Sequence, residues 1–406
     1  MKIVAADNVF IFTATALVLL MSVPALAVFY GGLTKVKSIL NTMVMVVTAF
    51  CLTSFLWIAF GYSLTFGGEG AFIGDLSYIF LMGINPGDAA PAAPNLYHYL
   101  FIFFQMTFAA ITVALMAGAF VERMKFSAWI VVSLLWATLV YFPVAHWIWG
   151  GGWLGNVGTL DFAGGLVVHE TSGLAALVGA YMVGKRKEAI MLPSSLPLVA
   201  IGTGLLWFGW FGFNGGSALA MNAQAVSAAF VTTLAALVAG FVWMSLEWIK
   251  FKKPTSLGLF TGIIAGLATI TPASGFVDVG AGLLIGVAAA LVCFWAVVWL
   301  KNRLGYDDSL DVFGVHGVGG ILGAIMLGIF AKPEVAEVKG LLYGGGFSQL
   351  WYQIVGIAAV GIYTIVLTFV IFKIADKLVG LRVSKDEETE GLDETTHGEK
   401  AYVKEY

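Results

Sequence analysis

Long apolar runs, repeated along almost the whole chain and nearly free of charge, limit what this sequence can fold into. A bilayer core of roughly 30 Å needs about 20 apolar residues per helix, and in lipid each backbone N–H and C=O must find a partner within the protein. A chain of 406 residues that is 60% hydrophobic and 11% charged could not hide that surface in a soluble core. The fold class is therefore an all-α integral membrane protein. Segmentation on this rule gives eleven transmembrane helices, near 8–31, 39–65, 97–120, 126–148, 163–184, 194–215, 223–248, 256–275, 279–300, 311–331 and 347–377. One base and one acid, Lys2 and Asp7, precede the first. It is long enough to span and reads as a retained helix, although Val23-Pro24-Ala25-Leu26-Ala27 would also fit a leader-cleavage site.

Charge placement orients the bundle. With the N-terminus outside, 18 of the 21 lysines and arginines fall on the inner side, and only Lys2, Lys332 and Lys339 fall outside. The positive-inside rule then puts the C-terminus inside, which an odd helix count requires. The loop 66–96 holds Glu69, Asp75 and Asp88 and no base, as an outer loop should. From about Val379 the composition turns polar and acidic, dividing a membrane unit, 1–378, from a cytoplasmic tail, 379–406. That tail reads as a solvated, partly disordered end and a handle for a regulator. Fifty glycines, with Gly-x-x-x-Gly at Gly262/Gly266, Gly282/Gly286 and Gly319/Gly323, let helix backbones approach closely. Cys51 and Cys293 lie in apolar runs and read as small buried hydrophobes, not as a disulfide or metal site.

Eleven helices divide as two five-helix repeats plus one further helix, and an odd number per repeat makes the repeats inverted. The fifth helix is entered at Asp161 and carries His169; the tenth is entered at Asp311 and carries His316. A polar group in hydrocarbon needs a partner or a cavity. One such histidine alone is more often a hydrogen-bonded structural residue. A pair in matching halves reads as a shared pore lining, able to hold one proton between two imidazoles. Aromatic residues cluster toward the outer side: Phe104 and Phe108, then Trp147, Trp149 and Trp153, then Phe211 and Phe213. Aromatic faces attract a cation by roughly 0.5–2 kcal/mol each. An interfacial aromatic belt would give the same composition.

Several runs in order resemble the ammonium transporter family (Amt/Mep/Rh), closest to its prokaryotic Amt branch. They are Phe104-Gln105-Met106-Thr107-Phe108, His146-Trp147-Ile148-Trp149-Gly150-Gly151-Gly152, Asp161-Phe162-Ala163-Gly164-Gly165 through His169, and Trp210-Phe211-Gly212-Phe213-Asn214-Gly215-Gly216-Ser217. Asp307-Asp308-Ser309-Leu310-Asp311 leading to His316-Gly317, and Gly380-Leu381-Arg382-Val383-Ser384 with Glu390-Gly391-Leu392-Asp393, complete the set. The resemblance implies a transporter, not an enzyme, without cofactor or metal, in the inner (plasma) membrane. It implies a homotrimer with one pore per subunit. Phe108, Trp149 and Ser217 look like the outer ammonium-recruitment site, with Phe104 contributing and Asp161 organising it. Phe108 and Phe213 look like the stacked gate, and His169 and His316 like the twin histidines of the pore. The tail resembles the segment that couples subunits and docks a PII-type signalling protein.

One departure is Glu170, where many members of the family have an apolar residue. Adjacent helical residues point about 100° apart, so Glu170 is expected to face a neighbouring helix as a packing residue. The alternative is that it tunes proton handling at His169. Two other readings of the whole chain compete: a membrane sensor of the same fold signalling through its tail, and a haem protein with two axial histidines.

Overall fold

The structure, a computed structural model, describes residues 3–188 and 192–402. Lys2 and Lys404, two of the bases on which the expected orientation rests, lie outside the described residues. Ten helices among the described residues are long and apolar enough to cross a membrane. In chain order they are α1 (Ala5–Leu33), α2 (Val36–Phe66), α3 (His98–Ala119), α4 (Phe126–Val157), α5 (Gly165–Val183), α6 (Leu196–Gly215), α7 (Ala223–Phe251), α9 (Val279–Leu304), α10 (Phe313–Phe330) and α11 (Ser348–Val379). Between α7 and α9, α8 (Ser256–Ile270) has only 15 residues, about 22 Å of rise. The expected span 256–275 stops there because residues 271–276 turn back and Pro272 offers no N–H. The carbonyl of Pro272 instead receives the Phe162 N–H at 3.1 Å, and its ring packs under Gly165. The turn thus supports the start of α5.

α3 and α5 form the centre, with 78% of their apolar windows buried against 33% in α9 and α11. The Gly-x-x-x-Gly pairs sit at close crossings. A Cβ on Gly266 would lie 2.5 Å from the Ala235 carbonyl of α7, and one on Gly323 would lie 1.9 Å from the Thr269 carbonyl of α8. Cys293 is buried there, whereas Cys51 lies exposed on α2, on an apolar surface. The loop between α2 and α3 is irregular, as expected, apart from a short antiparallel pair, Ala89–Ala90 with Ala93–Tyr97.

Seven π turns interrupt the described spans. Three pairs recur five helices apart: Met21–Ala25 with Phe211–Gly215, Ala137–Tyr141 with Ala296–Leu300, and Gly165–Glu170 with Phe313–Gly317. Such turns often mark functional positions. Here they carry Phe213, His169 and His316.

The acidic tail is ordered rather than loose over its described length. Lys125 N–H donates to the Leu381 carbonyl and Val383 N–H to that of Arg123. Arg382 pairs with Glu388 at 2.7 Å, and Asp393 accepts the Asn41 N–H at 2.8 Å. A composition-based reading counts charge as solvated; here the loops at this end supply its partners.

Candidate functional site

Three spaces succeed one another through the bundle. The first, ≈ 280 Å³, is an aromatic vestibule whose wall includes Phe108, Trp149, Phe162, Gln105, Ser217 and Leu219. The second, ≈ 10 Å³, is lined by Phe213, His169, His316, Val168, Trp210 and Ile264. It admits about one water-sized molecule. The third, ≈ 240 Å³, is a charged vestibule beyond His316 that includes Tyr30, Arg186, Lys301, Ser309 and Asp311.

Phe108 and Phe213 divide the first space from the second. Their rings stack with centroids 4.2 Å apart and 15° between planes. Trp149 meets Phe108 edge-on at 6.1 Å. Its indole N–H donates to the Asp161 carbonyl at 2.8 Å, which fixes the ring at the vestibule wall. Ser217 Oγ donates to the Phe213 carbonyl at 2.8 Å, so the hydroxyl and the stacked rings are mechanically linked. Phe104 is buried behind Phe108, edge-on at 4.9 Å, and backs the stacked pair. Of the other aromatics, Trp147 is spent on the Phe72 carbonyl and Tyr363, and Phe211 points away, 44% exposed.

Below the stack the histidine rings lie 5.1 Å apart, 21° from parallel, with their Nδ1 atoms 3.1 Å from each other. The His169 ring follows Phe213 at 6.1 Å. One Nδ1 must donate and the other accept, so in the uncharged pair the two outer Nε2 atoms differ: one is bare and one carries hydrogen. His169 Nε2 has no hydrogen-bond partner among the described residues.

The Asp161 carboxylate collects four backbone N–H groups, from Gly164, Gly165, Leu166 and Val167, at 2.6–3.0 Å. It caps α5, satisfying the donors that a helix start leaves open. In α10 the corresponding acid is Asp308, not Asp311 as the sequence reading has it. Asp308 Oδ2 accepts the Phe313 N–H at 2.7 Å, while Asp311 pairs with Lys301 at 2.7 Å. The interval from acid to histidine is eight residues in both helices, 161 to 169 and 308 to 316. That repeated interval is the signal that would have found Asp308. Asp161 lies beside the aromatic vestibule and Asp308 beside the charged one, so the two helices start at opposite ends of this row of spaces. Leu219, Gln105 and Tyr30 also line these spaces; Gln105 lies inside the run 104–108, whereas no motif in the sequence marks Leu219 or Tyr30.

The family model described as Ammonium Transporter Family matches residues 9–402. The chain belongs to the ammonium transporter family. An ammonium transporter of Aquifex aeolicus is 49% identical over 99% of this chain and 94% of its own length. One of Bacillus subtilis is 49% identical over 98% of both. The crystal structure of Candida albicans Mep2 superposes with a TM-score of 0.88 at 37% identity, over 95% of this chain and 88% of that one. A solved Sensor Amt Protein matches with the same TM-score at 28% identity, over 96% and 98%. This ammonium transporter is thus a multi-pass membrane transport protein and not an enzyme. Its Glu170 is fully buried, and both carboxyl oxygens lack hydrogen-bond partners among the described residues. The side chain faces α11, where a Cβ on Gly361 would lie 3.0 Å from Oε1, and not the lumen.

Proposed function

We propose that ammonium is captured from outside in the aromatic vestibule, by Phe108, Trp149 and Ser217. It is deprotonated at or below the Phe108–Phe213 gate and passes His169 and His316 as ammonia. The observation that carries this reading is the order of the parts: cation-attracting faces, a closed apolar stack, then one imidazole pair in a space for a single small molecule. A hydrated cation does not fit that space, so the dehydrating step belongs above it. The proton follows through the histidine pair by exchange of tautomers, giving net charge movement. Asp161 organises the vestibule through its cap and through the Trp149 bond; Phe104 backs the gate.

The N-terminus and the aromatic vestibule face outward and the tail faces the cytoplasm, in the plasma (inner) membrane. The protomers form a homotrimer with one pore each. The unit 1–378 conducts, and the tail 379–406, whose described part, to residue 402, folds across the loops beside the charged vestibule, is the docking place of a PII-type protein. Transport current in liposomes with ammonium as the only varied ion tests the reading; no current and no uptake would overturn it. The likeness to a Sensor Amt Protein supports one alternative, a sensor signalling through the tail. Rescue of growth in a transport-deficient strain separates the two.

A further inference from the structure

Three stretches far apart in the sequence meet at the rim of the aromatic vestibule: the start of α1, the strand before α3, and the turn between α6 and α7. Asn95 Nδ2 donates to the Leu219 carbonyl at 2.8 Å and to Asp7 Oδ2 at 2.8 Å. The other oxygen, Asp7 Oδ1, accepts the Met221 N–H at 2.9 Å. Asn8 locks the same strand, donating to the Asn95 carbonyl and accepting from Tyr97 N–H, both at 2.9 Å. Asp7 and Asn8 are buried.

What this knot grips is a strained residue. Leu219 has φ +54°, in the left-handed region, which is unfavourable for a residue with a Cβ. Such a conformation persists only where the surroundings impose it. Leu219 lines the vestibule together with Ser217. Its N–H bonds back to the Gly216 carbonyl at 2.9 Å, and Ser217 Oγ reaches Phe213. The turn therefore runs from the rim to the gate, and its shape sets where the hydroxyl stands.

We propose that Asp7 and Asn95 are positioning residues for ammonium capture, holding Leu219 left-handed and so fixing the Ser217–Leu219 wall of the vestibule. The inference rests on the vestibule being the capture site. Neither residue lines the path or touches the histidines, so their loss acts on capture and leaves the passage below the gate alone.

Substrate-dependent currents of the full chain in liposomes test this. Asn95→Ala raises the apparent KM for ammonium about fivefold or more, with maximal rate held within about twofold. Asn95→Asp, which keeps the shape and removes the donor, carries the same expectation if the alanine variant does not fold. Glycine adopts positive φ at little cost, so adding either change to Leu219→Gly raises KM by less than about twofold over Leu219→Gly alone. An equal KM penalty in both backgrounds, or a fallen maximal rate with KM unmoved, overturns the proposal. Trp149→Leu and Ser217→Ala probe the reading beneath it. If neither raises KM, the capture site lies elsewhere and both ideas fall; if they do and Asn95→Ala does not, only the positioning role falls.

Discussion

With its Nδ1 3.1 Å from that of His316, His169 can neither rotate nor change tautomer without its partner responding. That coupling gives the pair one proton to share in a space lined mostly by apolar side chains, and the proposed route makes conduction depend on both. His169→Ala is expected to abolish ammonium-dependent uptake, by more than about tenfold, at unchanged membrane expression. Asp161→Ala removes one acceptor for four N–H groups, so uptake falls at least as far and the protein loses stability as well. Wild-type uptake by both variants would remove the pore assignment. Glu170 is the contrast: buried beside His169 in sequence, but aimed at α11. Glu170→Gln should leave current and its pH profile within about twofold. A displaced profile would instead place the carboxyl on the proton's path. In the sequence the histidines and the acid were legible as isolated polar residues in apolar runs. The direction in which Glu170 points was open, because it depends on which helix covers α5.

The helices that carry the pair cross at their π turns, and the crossing is reciprocal. Gly173 and Gly320 each follow their histidine by four residues, 169 to 173 and 316 to 320. A Cβ on Gly173 would lie 2.2 Å from the Gly317 nitrogen, and one on Gly320 would lie 2.3 Å from the Gly165 carbonyl. Both obstacles are backbone, so neither can swing aside. Gly173→Ala or Gly320→Ala should each cost about 1–3 kcal/mol or more, read as a lower unfolding temperature in detergent and a parallel loss of uptake. An alanine variant of unchanged stability would mean that the helices sit further apart than this. Glu170 occupies the place held by Gly317 in the other half, and only α11, which has no counterpart, gives it somewhere to go. Helix-by-helix segmentation located α5 and α10 to within two residues, since apolar length marks a span. It could not see π turns, whose cause is packing; among the described residues Pro24 in α1 is the one proline inside such a turn.

Across the molecule, the charged end is held by ion pairs as well as by apolar contact. Arg186 meets Asp307 at 2.7 Å and Glu122 at 3.6 Å, and Arg123 donates to Ser309 at 2.7 Å and to the Asp307 carbonyl. Burial by itself would raise the Asp307 carboxyl, but the hydrogen bond to Arg186 and the charge of Arg123 outweigh it and bring it down to about 2. Unfolded, it would titrate near 3.9. A depressed carboxyl stabilises above the unfolded value, and that contribution disappears as pH falls from about 4 through about 2. Unfolding temperature in detergent should therefore drop over that window. Asp307→Asn should flatten this part of the curve and cost about 1–3 kcal/mol at neutral pH, because Arg186 exchanges one of its buried carboxylate partners for a neutral amide and keeps Glu122. An unchanged acid limb in the variant would assign the loss to other groups.

The sequence by itself determined the membrane class, the places of the spans and the family, because hydrophobic length and ordered motifs are local properties of a chain. It also marked Phe108, Trp149, Ser217, Phe213, His169 and His316 by type and position. Only the tertiary structure decided which aromatics converge and which merely pack, that Asp308 and not Asp311 matches Asp161, and that the acidic tail is folded against the bundle. Those outcomes depend on contacts between stretches tens to hundreds of residues apart, and such contacts leave no periodicity in the sequence for an inspection of neighbours to find.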